Sequence, residues 1–396
     1  MIDTMNYRNR GVVTDLHEFV FLDGKRDLSE YSTYKPAGYP IKHKRKVPFD
    51  PVIKLGSDYR KRFNEIRNMD YRLDEMILTA GDYLDFVKDV CSSNIHWSTS
   101  IEGNPLTQDD VRRISTSFFK GGRNEEKRDG PAQEILNHLH SYVAADNFKM
   151  PWTTETIKET HKSLTKNTGI AGIPGMIRDH GSVIADKDGF EYMIPCPHNS
   201  IEDELESVLS WLESSPYDPI ITATLFFHEF ESIHPFTDGN GRTGRTLFQI
   251  LLQELGLKNS NLCRLEEEIL GSLGTYYDLL GYTDQTQDYK PLIMYISESL
   301  HIAYAKATGE FENKNVLRHL DEASKAIVIR SKRTSWFTIP DVLSWVPLGE
   351  QRISQKLNEL VEMGILEKTG KTKSTKFRFN DPFAYLKDIP EEHINK

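Results

Sequence analysis

The stretch His234-Pro-Phe-Thr-Asp238-Gly-Asn240-Gly-Arg242-Thr-Gly-Arg245 places a base, a hard oxygen ligand, a glycine-rich turn and two guanidinium groups side by side. Glycines at 239, 241 and 244 let backbone N–H groups turn inward, which makes a nest for anions at a helix start. Arg242 and Arg245, three apart on that helix, project to one side and can each fork two phosphate oxygens. Asp238 is an oxygen ligand suited to Mg²⁺ that bridges phosphates. His234 titrates near neutrality and can serve as general base. Phe236 anchors the loop in the core. A lone histidine is more often structural than catalytic, but one beside a carboxylate, an anion nest and two arginines reads as catalytic. The chemistry implied is displacement at a phosphorus atom.

Three familiar alternatives fail on the same residues. Gly239-Asn-Gly241-Arg-Thr-Gly244 satisfies the dinucleotide fingerprint, and Arg245 stands where a P-loop needs lysine. Both motifs require a β-strand ahead of the glycines. The residues that precede them here, from about Pro219 to Ile233, carry helical periodicity, with Ile220, Ala223, Phe227, Phe230 and Ile233 near one face. A zinc-protease reading of His228-Glu229 would need a second histidine at 232, where Ser232 sits.

The elements around the loop are mostly helical. From about Lys61 apolar residues recur at three- and four-residue steps through Tyr71, Met76, Ile77, Ala80, Tyr83, Leu84 and Val87, and the run stops at Gly103-Asn104-Pro105. Thr107-Gln-Asp-Asp110 predicts the cap of a further helix. Between Ala171 and Pro197 glycines and prolines break helical order, and Ser182–Ile194 predicts a β-hairpin turning at Asp-Gly. Helices resume near Ser200 and continue to about Lys306. Beyond a boundary near 313, a helix, a short strand Trp336–Thr338, two more helices and a hairpin over Ile365–Phe379 predict a winged helix-turn-helix unit. The basic run His43-Lys44-Arg45-Lys46, in an N-terminal arm over residues 1–60, reads as solvated charge.

Composition sets outer bounds. Apolar residues make up 38% and charged residues 27% of the 396, the balance of a globular protein. No run is long and apolar enough to span a membrane. The N-terminus lacks the apolar core of a secretory signal, and three scattered cysteines read as free thiols, so a cytoplasmic location is expected. A net charge of −10 argues against general nucleic-acid binding.

Written as one unit, residues 234–245 match H-P-F-x-D/E-G-N-G-R-x-x-R, and the chain thereby resembles the Fic family. The resemblance implies a mainly α fold: a Fic-type helical bundle over 61–312 with a β-hairpin flap near 181–194, followed by a winged helix-turn-helix domain over 313–396. It further implies a protein adenylyltransferase that moves AMP from ATP to a Ser, Thr or Tyr hydroxyl of a target protein or of itself. By position, His234 would deprotonate the hydroxyl and Asp238 would hold Mg²⁺. Asn240 and the amides of Gly239, Gly241 and Gly244 would orient the α-phosphate, Arg242 would hold the β-phosphate and Arg245 the γ-phosphate. A kinase-like relative carries lysine where Gly241 stands, which favours AMP over phosphate as the group moved. The flap would clamp the target by strand addition. Tyr276 and Tyr277 sit where relatives place residues around the adenine and ribose, whereas Asp284 stands where relatives often have asparagine.

Ser98-x-x-x-Glu102-Gly103 is similar to the family's inhibitory motif, on a helix near 84–103. A carboxylate on Arg245 would occupy the γ-phosphate's partner and leave ATP misaligned. The same carboxylate could also position a water that removes AMP. The cations Arg352, Lys356, Lys368, Lys371, Lys373, Lys376 and Arg378 leave open a DNA or protein contact through the winged helix. The rival class is an ATP-sensing winged-helix transcriptional regulator, and homo-oligomers stay open.

Overall fold

The structure, a computed structural model, describes residues 28–120, 130–145, 148–186, 188–371 and 374–381. Of the expected arm, residues 1–27 lie outside this set, as do Lys373 and residues 382–396 of the C-terminal unit. No helix among the described residues is long and apolar enough to cross a membrane.

The helical run expected from Lys61 is two helices, α1 (Ser57–Glu75) and α2 (Ala80–Ser100). Periodicity alone missed the break. Met76 is extended, and the Ile77 backbone is drawn away to pair with the C-terminal unit: Val316 N donates to Ile77 O at 2.8 Å, and Ile77 N donates to Asn315 Oδ1 at 3.2 Å. Thr79 then caps α2 by accepting from Asp82 N. α3 (Gln108–Phe119) begins at the expected cap, where Thr107 and Asp110 bond each other's backbone as a capping box. α4 (Gly130–Val143) and α5 (Thr154–Thr165) follow.

The glycine- and proline-rich stretch holds β2 (Ile184–Ala185) and β3 (Glu191–Ile194), antiparallel as expected for a flap. A third strand joins them: β1 (Ile41–Lys42) runs parallel to β3 with Ile41 opposite Met193, giving the order β1-β3-β2. The arm is therefore part of the sheet.

Four long helices complete the main body, interrupted by the short α9 (Leu265–Leu270). They are α6 (Ile201–Ser214), α7 (Pro219–Ile233), α8 (Asn240–Glu254) and α10 (Leu273–Thr286). α11 (Lys290–Lys314) is buried along most of its length against them. One continuous core joins all these helices and includes Leu28, Tyr31 and Phe49 of the arm. Burial on this scale is the main stabilising term of such a body.

A second, smaller core lies in the C-terminal unit, built on α12 (Glu322–Ser331), α13 (Ile339–Leu343), α14 (Glu350–Glu362) and the hairpin β4 (Leu366–Thr369) with β5 (Lys376–Phe379). The strand expected at Trp336–Thr338 is a single bridge between Phe337 and Phe377. Ile77 belongs to this core, which seats the unit on the α1–α2 junction. Two of the cations that left a DNA or protein contact open have acidic partners within the unit. Lys356 meets Asp321, and Arg378 pairs with Glu367 while its guanidinium lies 4.7 Å above the Trp336 ring.

Candidate active site

The loop 234–239 joins α7 to α8, a helix leading in and a helix leading out, as the periodicity expected. α7 ends in a left-handed residue, His234, at φ 53° and ψ 62°. Non-glycine residues rarely adopt this conformation, and it persists where the surroundings enforce it. Here the enforcing group is Arg178. Its side chain donates to the carbonyls of His234 (2.8 Å), Ile233 (3.2 Å), His180 (2.9 Å) and Cys196, while its backbone N–H donates to Pro235 O at 3.0 Å.

Phe236, 0% exposed, anchors the loop as expected, and its ring stacks on His161 with centroids 3.7 Å apart. His161 accepts from Gly175 N at Nδ1, so its Nε2–H donates to Asp238 O at 2.8 Å. Burial pushes the His161 imidazole down to about 4, which keeps it neutral for that double role. Asn240 clamps the turn: its Oδ1 accepts from Phe236 N and its Nδ2 donates to Phe236 O, each at 2.8 Å. Both ends of that amide are thus engaged with the loop itself. Gly239 sits at φ 82°, where a Cβ would also stand 2.9 Å from Thr165 Cγ2.

His234 donates from Nδ1 to Glu231 O at 3.3 Å, which leaves Nε2 as the acceptor. Burial lowers its pKa to about 4, so the ring is a neutral base at pH 7. Asp238 is split between its two oxygens. Oδ1 accepts from Arg242 and from Gly239 N, while Oδ2 takes a bond of 3.4 Å from Ala171 N. Arg242 is held on its other side by Glu134. Neither Arg178, His161 nor Glu134 was marked out by the sequence.

Arg245 is buried at the inner end of the site. Its Nε donates to Ser98 Oγ and its Nη2 to Ser98 O, each at 2.9 Å, and Nη2 also meets Glu102 Oε1 at 2.7 Å. Burial alone would raise the Glu102 pKa, yet the Arg245 guanidinium holds its carboxyl below the usual range. A Cβ on Gly241 would collide with Glu102 Oε1, so the carboxylate lies directly over the nest. Gly103, at φ 92°, turns the chain just after it. Gly244 faces Glu231, whose burial pushes its carboxyl up to about 8. Glu266, pushed up to about 7 by burial, stands 3.7 Å from Arg245 Nε. Of the two tyrosines, Tyr276 is 1% exposed, packs near Phe227, and lies close enough to Glu231 and Arg245 for their charges to act on its phenol. Tyr277 is half exposed and close enough for Glu102 and Arg245 to act on its phenol. Asp284 is buried and accepts from Ser232 Oγ.

Residues 151–252, which contain this loop with α5, the flap, α7 and most of α8, match the Fic/DOC family. This part of the chain is a Fic/DOC domain. The chain is 25% identical over 227 residues to the protein adenylyltransferase Fic of Nematostella vectensis, a match covering 53% of this chain and 47% of that protein. It is 38% identical over 66 residues to a probable protein adenylyltransferase of Aquifex aeolicus, covering 21% of that protein. The chain thus spans about half or less of the curated relatives it matches. The fold is shared with a Fic family protein from Desulfovibrio desulfuricans G20, at a TM-score of 0.57 and 21% identity over 84% of this chain and 98% of that one.

Proposed function

We propose that this Fic protein transfers AMP from ATP to a hydroxyl of a Ser, Thr or Tyr side chain on a protein, itself included, and that Glu102 restrains it. One observation carries the reading: a neutral His234, its Nε2 without a hydrogen bond among the described residues, lies near enough to Asp238 and to Glu102, the carboxylate on Arg245, for their charges to act on its ring. The hydroxyl oxygen attacks the α-phosphorus and its proton passes to His234 Nε2. The bond from the α-phosphorus to the bridging oxygen breaks, and pyrophosphate leaves. The residues contribute position and charge, which is what phosphoryl chemistry needs most. The α8 N-terminus and its glycine amides face the phosphates. Arg242, once its Glu134 and Asp238 contacts are shared with substrate, binds the β-phosphate.

The donor set fits Mg²⁺. Asp238 keeps one oxygen, Oδ2, with a single long hydrogen bond among the described residues, and a lone carboxylate plus phosphates is a usual Mg²⁺ shell. Held there, the ion would neutralise charge building on the pyrophosphate. The flap edge at β2 offers backbone groups for a target strand, with Tyr192 and Phe190 exposed beside it.

The deciding experiment incubates the protein with α-labelled and, separately, γ-labelled ATP. AMP transfer labels protein only from the α position. A kinase labels from the γ position, and a protein that only senses ATP labels from neither.

A further inference from the structure

Away from the nucleotide loop, three metal-ligating side chains converge under the base of the flap. His43 Nε2, Cys196 Sγ and a Glu204 carboxylate oxygen all lie within 4.8 Å of one another. They come from three elements: His43 follows β1, Cys196 follows β3, and Glu204 is in the first turn of α6. The His43 and Glu204 side chains are each 1% exposed, and Cys196 is equally buried.

The hydrogen bonds around the cluster fix the orientation of the imidazole. Ser232 Oγ donates to Asp284 Oδ1 at 2.5 Å, so toward His43 it accepts, and Nδ1–H is the donor at 2.8 Å. A neutral His43 then points its Nε2 lone pair at Glu204 Oε2, 3.1 Å away. Two lone pairs at that distance repel, so either a proton or a metal cation sits between them. Metal-bound histidines are typically oriented in this way, through a hydrogen bond from the other ring nitrogen. The second oxygen of the same carboxylate, Glu204 Oε1, is buried and has no hydrogen-bond partner among the described residues. Such an orphaned acceptor is costly unless something fills the gap.

We infer that His43, Cys196 and Glu204 form a structural zinc site that staples the N-terminal arm and the base of the flap to α6. Imidazole, thiolate and carboxylate are the common zinc ligands, whereas Mg²⁺ and Ca²⁺ select all-oxygen shells. Zinc–nitrogen and zinc–oxygen bonds of about 2.0–2.1 Å set a tetrahedral ligand edge of roughly 3.3 Å, close to the 3.1 Å between Nε2 and Oε2. His43, Cys196 and Glu204 fill three vertices, Glu204 Oε1 can add only a second contact at the carboxylate's own vertex, and water takes the fourth. On binding, the Cys196 thiol loses its proton to solvent, and thiolate plus carboxylate balance the dication, so the buried site is neutral. The staple acts where the arm already bonds the flap strand: His43 N donates to Ile194 O at 2.9 Å. Zinc here holds the sheet β1-β3-β2 in place and takes no part in AMP transfer.

The test is a titration of the untagged, metal-free full chain with Co²⁺, followed by displacement with Zn²⁺. A thiolate-to-cobalt charge-transfer band should grow to saturation at one equivalent and vanish as zinc displaces the cobalt. It should persist in Cys91→Ser and Cys263→Ser and be absent from Cys196→Ser. Zinc should also raise the melting temperature of the wild type and leave that of Cys196→Ser unmoved. A folded wild type with no band, or a Cys196→Ser protein that keeps it, overturns the site. If Cys196→Ser does not fold, the wild-type titration alone decides. None of these readouts depends on nucleotide transfer.

Discussion

Glu102 Oε1 stands 2.7 Å from Arg245 Nη2 and directly over Gly241, with no room there for a side chain at 241. A carboxylate therefore occupies the part of the anion nest that, in the proposed reaction, the outermost phosphate of ATP would take.

In the proposed reaction His234 takes the proton. Replacing it with alanine in a Glu102→Gly background should lower the rate of AMP transfer by roughly 10²–10⁴-fold, the usual worth of a positioned general base. Single-turnover labelling measures this, and ATP binding should be little changed. A loss in affinity with an unaltered rate would show His234 to be structural.

The acid limb of the pH profile should fall low. A free imidazole loses its base form near 6.5, but burial pushes His234 down to about 4. As pH falls, the ring protonates only as that lower value is approached, and the base is lost there. The Glu102→Gly variant should thus hold most of its rate at pH 5.5. A half-maximal rate near 6.5 would contradict the assigned environment.

Ser98 accepts from Arg245 Nε and helps to hold the guanidinium against Glu102. Ser98→Ala removes one charged hydrogen bond while the Ser98 carbonyl remains. Basal labelling should rise roughly tenfold, the low end of the worth of a hydrogen bond to a charged group, and stay below that of Glu102→Gly.

Lys46 was expected in a solvated run, yet its Nζ bonds both oxygens of buried Glu229, at 2.7 and 2.9 Å, and the Tyr289 hydroxyl. Burial alone would raise Glu229, and Lys46 brings it down to about 2. Lys46→Met strands a buried carboxylate and should cost about 3–5 kcal/mol, read from urea unfolding. Because the folded value is depressed, this stabilisation is present above pH 4.5 and lost as pH falls toward 2. The gap between the two proteins should close in acid.

The loop was legible because its chemistry is contiguous: base, ligand, nest and arginines follow one another in the chain. Capping at Thr107 was legible for the same reason. What escaped was long-range partnership. Arg178 reaches a carbonyl 56 residues away, His161 one 77 away, and Glu134 an arginine 108 away. Each is an ordinary residue in its own neighbourhood, with no local pattern to mark it. The same holds for Lys46, whose partner lies 183 residues on, and for the break at Ile77, set by backbone bonds to Asn315 and Val316.

The most direct measurement compares wild type with Glu102→Gly, each incubated with α-labelled ATP and Mg²⁺, and counts label in protein. Freeing Arg245 should realign the phosphates, and misplacement of that kind is worth on the order of 10²-fold in rate. Labelling by Glu102→Gly should therefore exceed the wild type by about that factor. Equal or weaker labelling in a folded Glu102→Gly protein would contradict the account.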